Sequence, residues 1–181
     1  MIIKNHFLWI FAFFTVFIKW YFSFYFFPET LDTKIFHDSV SDAKYYYPFI
    51  KFLSELNLNY SYDPEIDNLK IIPLPFWGIF FHSILLKIFG FFSFIILDFL
   101  CILIFLLIFF NIFKISFNKK FSIFFSILVF LTPYLISNSF LSNFQYLGLF
   151  SETFYNLRVP RPMITNLYFF SFILISLKLI T

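Results

Sequence analysis

The chain has 181 residues, of which 61% are hydrophobic and only 13% are charged, and its mean hydropathy is +0.86. A water-soluble domain usually contains about 45–50% apolar and about 25% charged residues. The composition therefore excludes a soluble enzyme, a disordered segment and a disulfide scaffold, and it predicts an all-α integral membrane protein. The net charge of +3 is too small to indicate nucleic-acid binding. The single cysteine, Cys101, excludes an intramolecular disulfide.

Four apolar runs are long enough, or nearly so, to cross a bilayer, for which a helix needs about 20 mostly apolar residues. We treat residues 1–181 as a single membrane domain. The predicted spans, in chain order, are 6–27, 91–113, 121–137 and 163–181. The first run is too long for the core of a signal peptide and has no small-x-small cleavage site, so it predicts a retained helix.

The stretch 71–90 is also apolar, but polar side chains interrupt it at helical spacing. Gly78 and His82 are four residues apart, as are Ser83 and Lys87. Such a polar stripe is typical of a helix that lies at the membrane surface, and a tilted span is the alternative.

Lysines set the predicted orientation. Three of them lie within residues 114–120, in the short link between the second and third spans, and positive charge in short loops marks the cytoplasmic side. Lys4 places the N-terminus on the same side. The N-terminus and the link 114–120 can both be cytoplasmic only if the stretch 71–90 does not cross the membrane. We therefore predict an outer loop over 28–90 that holds two juxtamembrane helices, in a protein of the bacterial inner (plasma) membrane with a cytoplasmic N-terminus.

Carboxylates are concentrated in this predicted outer loop. Eight of the ten acidic residues fall within 28–70, and 42–53 reads as a short amphipathic helix. Asp38 and Asp42 flank one turn of chain shortly after the first span. A carboxylate held there can accept a proton from a hydroxyl or an amine and so activate it as a nucleophile. The alternative is that these acids only solvate an exterior loop.

The order of these features resembles the N-terminal part of the GT-C membrane glycosyltransferases. The run 41–45 (Ser-Asp-Ala-Lys-Tyr) is similar to the first juxtamembrane helix of that family, and 73–90, which opens with Pro-Leu-Pro and ends with Phe-Gly, is similar to the second. Protein O-mannosyltransferases and the lipid A aminoarabinose transferase share this order. The likeness covers about residues 6–113 and implies an N-terminal fragment of a larger enzyme, or a reduced relative, because the family has more than four helices. The Asp-x-Asp form of some members is absent here.

The resemblance implies an enzyme that transfers a sugar from a polyprenyl-phosphate donor to an acceptor on the outer face of the membrane. Asp42, or Asp38, is then the catalytic base, and Tyr45 contributes to substrate binding. The family allows a divalent cation, but this sequence offers no dedicated metal site. The alternative function is a non-enzymatic polytopic membrane subunit or a small transporter-like protein.

Two arginines, Arg158 and Arg161, precede the fourth span and are the only arginines in the chain. The predicted topology places them outside, against the usual charge bias. A guanidinium matches phosphate oxygens in a bidentate manner, so the pair is a candidate site for the phosphate of a lipid-linked donor. The alternative is that both side chains extend to the membrane interface.

Two charged residues, Lys19 and Asp98, lie inside predicted spans, where an unpaired charge is costly. Lys19 is eight residues from the outer end of the first span, and Asp98 is seven residues into the second from the same side. At about 1.5 Å per residue, both lie about 10–12 Å below the outer surface. One interpretation is an ion pair. The other is that Lys19 extends outward while Asp98 caps a backbone group.

Overall fold

A computed structural model of the protein describes residues 5–26, 43–56, 76–137 and 163–180. All regular secondary structure in these ranges is helical, which confirms the predicted all-α class for the described part of the chain. A short 3₁₀ turn joins α3 directly to α4. The elements are α1 (His6–Phe26), α2 (Ala43–Ser54), α3 (Phe76–Phe89), the 3₁₀ turn (Gly90–Phe92), α4 (Ser93–Phe113), α5 (Lys119–Ser137) and α6 (Met163–Ile180).

Two helical segments are long and apolar enough to cross a membrane. They are the continuous run Phe76–Phe113 and the helix Met163–Ile180. The apolar part of α1, His6–Phe22, is shorter. These two segments include nearly all of the second and fourth spans expected from the sequence, and all four expected spans stay predictions.

Gly90 divides the run Phe76–Phe113 into two helices. A straight helix of 38 residues would be about 57 Å long, nearly twice the thickness of a bilayer's hydrocarbon core. The glycine has a φ of +58°, in the left-handed region that ends a helix. The 21 residues of α4 reach about 31 Å, whereas the 14 residues of α3 reach only about 21 Å. By itself, α3 is too short to cross.

The described residues form two compact units. The first unit comprises 5–15, 99–137 and 163–180. Aromatic rings join its helices: the ring centroid of Phe105 in α4 lies 6.1 Å from that of Phe130 in α5 and 5.8 Å from that of Phe170 in α6. Such tilted and edge-to-face pairs add to the packing that holds apolar helices together.

The second unit comprises 16–26, 43–56 and 76–98. Its best-packed part is the contact between α2 and α3. Ile50 and Leu53 are three residues apart and therefore lie on one face of α2. They pack with Ile79 of α3 in a fully buried cluster. The two helices therefore form one layer, which we call the α2–α3 pair. Partly buried side chains surround the cluster: Phe49, Phe76, Phe80 and Leu86.

The polarity of the described surface is reversed relative to a water-soluble protein. Large apolar side chains such as Phe13, Phe14 and Phe17 in α1 are more than half exposed. Among the described residues, eight polar side chains are instead buried, as is typical of helices surrounded by lipid. The buried polar residues are Asn5, His82, Ser83, Ser93, Asp98, Ser122, Ser126 and Asn166.

Hydroxyl and amide side chains within the apolar helices are satisfied by the helix that carries them. The Thr15 hydroxyl donates to the Phe11 carbonyl oxygen at 2.9 Å, and the Asn111 amide donates to the Leu107 carbonyl at 2.6 Å. These bonds to the carbonyl four residues earlier let a polar group sit in an apolar helix without an unpaired donor.

We expect Gly90→Ala to lower the free energy of unfolding by about 1 kcal/mol, because a Cβ disfavours the left-handed conformation. A methyl group at residue 90 would meet no atom within 4 Å, so the loss comes from the backbone alone. Gly90→Asn should lose less, since asparagine tolerates a positive φ better. Unfolding in mixed detergent micelles measures both values. A larger loss for asparagine than for alanine would contradict this account of the turn.

Candidate functional site: a buried ion pair and a buried imidazole

Asp98 accepts two hydrogen bonds from α1 within the second unit. The Lys19 ammonium donates to Asp98 Oδ2 at 2.6 Å, and the indole N–H of Trp20 donates to the same oxygen at 2.8 Å. The carboxylate side chain is only 2% exposed, whereas the Lys19 side chain is 28% exposed. The structure thus confirms the ion pair, one of the two interpretations of these charges, and adds Trp20 as a second donor.

The burial pattern of α1 explains how its side chains reach Asp98. Buried residues of this helix recur every fourth position, at Leu8, Ala12, Val16 and Trp20, which is the spacing of one helical face. Trp20 ends this stripe. Lys19 lies beside the stripe, so its stem stays partly exposed while its ammonium reaches inward.

The ion pair contributes more to the specific alignment of α1 with α4 than to the net free energy of unfolding. Removing a carboxylate from water is costly, and a single cation often only balances that cost. The Trp20 N–H adds a charge-assisted hydrogen bond to the same anion. Both donors come from consecutive residues of α1. The two hydrogen bonds can therefore form together in only one alignment of α1 against α4 within this unit.

A second buried polar pair lies at the junction of α3 and α4. His82 Nε2 is 3.2 Å from the Ser93 hydroxyl oxygen, and both side chains are fully buried. The ring of Phe94 meets the imidazole edge-to-face, with centroids 4.3 Å apart. His82 Nδ1 has no hydrogen-bond partner among the described residues, which costs about 1–3 kcal/mol for a buried polar atom.

The polar stripe predicted for α3 is mostly buried within the second unit. Gly78, His82 and Ser83 are buried, and Lys87 is exposed. The other side of α3 is apolar and exposed; its outward side chains include Trp77, Phe81, Ile84 and Ile88. The first three members of the stripe thus pack inside the unit, and the placement of this helix at the membrane surface stays a prediction.

Helix α2 covers the junction through Tyr47. Its ring stacks on Phe91 with centroids 5.8 Å apart and lies 6.3 Å from the ring of Phe94. Burial raises the pKa of the Tyr47 phenol, and the Glu55 carboxylate raises it further. The phenol is therefore protonated at neutral pH and can donate a hydrogen bond.

The predicted catalytic and binding residues fall almost entirely outside the part of the chain that the structure describes. Asp38, Asp42, Arg158 and Arg161 lie outside the described residues. Tyr45 lies in the first turn of α2, but its side chain is not described. Over the described ranges, no group of three or more His, Cys, Asp or Glu residues could hold a metal ion.

Sequence reasoning found both charges of the ion pair but missed Trp20, Tyr47 and the contact between His82 and Ser93. Trp20 carried a usable signal, because tryptophan is the aromatic residue with an N–H donor and this one follows a charged residue inside an apolar helix. The contact of His82 with Ser93 depends on the turn at Gly90, whose direction the sequence does not show.

Comparison of the chain with protein-family models, with curated proteins and with solved structures finds no match.

The two partners of the ion pair should respond unequally to substitution. Lys19→Met leaves the buried Asp98 carboxylate with Trp20 as its remaining donor, and we expect a loss of about 3 kcal/mol in the free energy of unfolding. Asp98→Asn leaves a lysine that can extend toward solvent, so the loss should be only about 1 kcal/mol. Unfolding in mixed micelles, followed by tryptophan fluorescence, measures both.

The double variant Lys19→Met/Asp98→Asn should recover most of the loss caused by Lys19→Met, because the buried charge is gone. Lys87→Met, which removes an exposed lysine of α3, is the matched control and should change stability little. Simple addition of the two single losses in the double variant would show that the groups do not act as a pair.

Proposed function

We propose that the protein is a polytopic membrane protein of the GT-C glycosyltransferase type. It transfers a sugar from a polyprenyl-phosphate donor to an acceptor on the outer face of the membrane. The observation that carries the proposal is the α2–α3 pair, which falls between α1 and α4 in the chain. The resemblance to the GT-C family calls for two juxtamembrane helices at this place.

The reversed polarity supports the membrane part of the proposal. Exposed phenylalanines on α1 and a buried carboxylate in α4 suit lipid on the outside of the helices. The spans we propose are α1, α4, α5 and α6. Helices α4 and α6 provide the two candidate spans of the described chain, and α1 has 21 residues, enough for about 31 Å.

The α2–α3 pair has the properties of a layer at the membrane surface. Ile50 and Leu53 of α2 pack onto α3, whereas Lys51 and Glu55 are exposed. An amphipathic helix of this kind lies with one face on apolar groups and the other toward water. The exposed side of α3 is apolar, which suits contact with lipid.

The chemistry follows from the resemblance. Asp42, or Asp38, takes the proton of an acceptor hydroxyl, and the freed oxygen attacks the anomeric carbon of the donor sugar. The bond from that carbon to the phosphate oxygen breaks, and polyprenyl phosphate leaves with the electron pair. Arg158 and Arg161 stabilise the charge that develops on this phosphate.

Labelling of introduced cysteines tests the orientation. We expect a membrane-impermeant maleimide added outside cells to label Glu55→Cys, near the end of α2, but not Ser116→Cys, in the turn between α4 and α5. Both positions are exposed, so access is limited only by the membrane. The buried Cys101 is first replaced by alanine. Permeabilised cells provide the control, in which both variants are labelled. External labelling of Ser116→Cys would overturn the orientation.

Transfer from labelled polyprenyl-phosphate sugars tests the activity. In membranes containing the active full-length protein, Asp42→Asn should lower the transfer rate by about 10²–10⁴-fold, as expected for loss of a general base. Glu55→Gln, a carboxylate at the end of α2, is the matched control and should keep the rate. Arg158→Lys and Arg161→Lys should raise the donor concentration needed for half-maximal rate, since lysine lacks the bidentate geometry.

The pattern of rates separates the alternatives. Loss of activity in Asp38→Asn but not in Asp42→Asn moves the base to Asp38. Full activity in both variants contradicts the assignment of a base to this segment. Absence of transfer with every donor would favour the second function, a non-enzymatic membrane subunit or small transporter-like protein, whose deep charges would be Lys19 and Asp98.

A further inference from the structure

The turn between α4 and α5 carries a concentrated positive charge. Lys114 follows α4, Lys119 and Lys120 begin α5, and all three are exposed. The sequence has no Asp or Glu between Asp98 and Glu152. Residues 99–151 therefore add three positive charges and no negative charge along the chain. We call residues 114–121 the lysine turn.

Aromatic packing gives the lysine turn a defined structure. Phe125 of α5 lies 5.5 Å from the ring of Phe113 and 5.1 Å from that of Phe117. The Asn118 side-chain oxygen accepts a hydrogen bond from the Phe121 amide at 3.1 Å, which is the bond that an N-cap residue makes at the start of a helix. The lysines thus extend from a packed and capped hairpin.

Apolar side chains are exposed beside the lysines. Ile115 is 40% exposed, Phe117 is 45% and Phe121 is 55%. A soluble anion would neutralise the charge but leave these side chains in contact with water. A phospholipid offers a phosphate next to an acyl chain, and so it matches both parts of the surface.

We propose that the lysine turn binds the headgroups of anionic phospholipids, with Lys114, Lys119 and Lys120 at the phosphates and the three exposed apolar residues among the acyl chains. The site is in the first unit and uses none of the residues assigned to sugar transfer. It rests on the membrane location in the proposed function, and it is independent of the glycosyltransferase activity.

Native mass spectrometry of the full chain in detergent tests the binding. The protein is titrated with phosphatidylglycerol or with phosphatidylcholine of the same acyl chains. An exposed lysine near an anionic surface contributes about fivefold in affinity. The variant Lys114→Gln/Lys119→Gln/Lys120→Gln should therefore bind phosphatidylglycerol about 100-fold more weakly, and phosphatidylcholine as before. Added salt should weaken only the phosphatidylglycerol complex.

A variant with the same change in net charge is the matched control. Lys51, Lys87 and Lys178 are also exposed, so Lys51→Gln/Lys87→Gln/Lys178→Gln should retain phosphatidylglycerol within about threefold if binding depends on position and not on total charge. Equal losses in the two triple variants would overturn the site. Equal affinity of the unmodified protein for the two lipids would also overturn it.

Two further measurements cover folding and the source of the anion. Circular dichroism checks each variant, and if a triple variant does not fold, the single lysine variants should each lose about fivefold. Glycerol phosphate, which carries the anion without acyl chains, should not displace the lipid at equal concentration. Displacement would show that the turn binds a free anion, and it would contradict the proposal for a lipid.

Discussion

The second unit depends on a carboxylate that is held away from water. Asp98 is nearly fully buried in an apolar helix, and an uncompensated charge there would cost several kcal/mol. Lys19 and Trp20 remove that cost by donating to one oxygen. A slip of α1 by one residue would move each donor by about 1.5 Å and turn it by about 100°, so the two bonds define the alignment of α1 with α4 in this unit.

The turn at Gly90 links this alignment to the packing of α2 and α3. Because the chain bends there, α3 leaves the line of α4, and His82 comes within 3.2 Å of Ser93. Phe94 then packs on the imidazole, and Tyr47 of α2 covers Phe94 and Phe91. The α2–α3 pair is thereby attached to the beginning of α4.

Charge in this protein has two different roles, which depend on where it lies. The ion pair is buried and neutral overall, so it serves the packing of helices and offers little to a ligand. The lysine turn is exposed and carries three positive charges, so it can attract anions. The exposed apolar side chains next to it favour an anion that also carries an apolar chain. The charges that hold helices together and the charges that can bind a ligand thus lie in different parts of the chain.

The sequence by itself determined the helical class, because long apolar runs can satisfy their backbone groups only within a helix when lipid surrounds them. It also matched the depths of Lys19 and Asp98, since helical rise converts residue counts into distance. Only the tertiary structure decided that these charges pair, that Trp20 joins them, and that His82 and Ser83 face inward. Those outcomes depend on the rotation of each helix about its axis and on the turn at Gly90. In a helix that is apolar on nearly every side, as α4 is, the residue pattern does not determine that rotation.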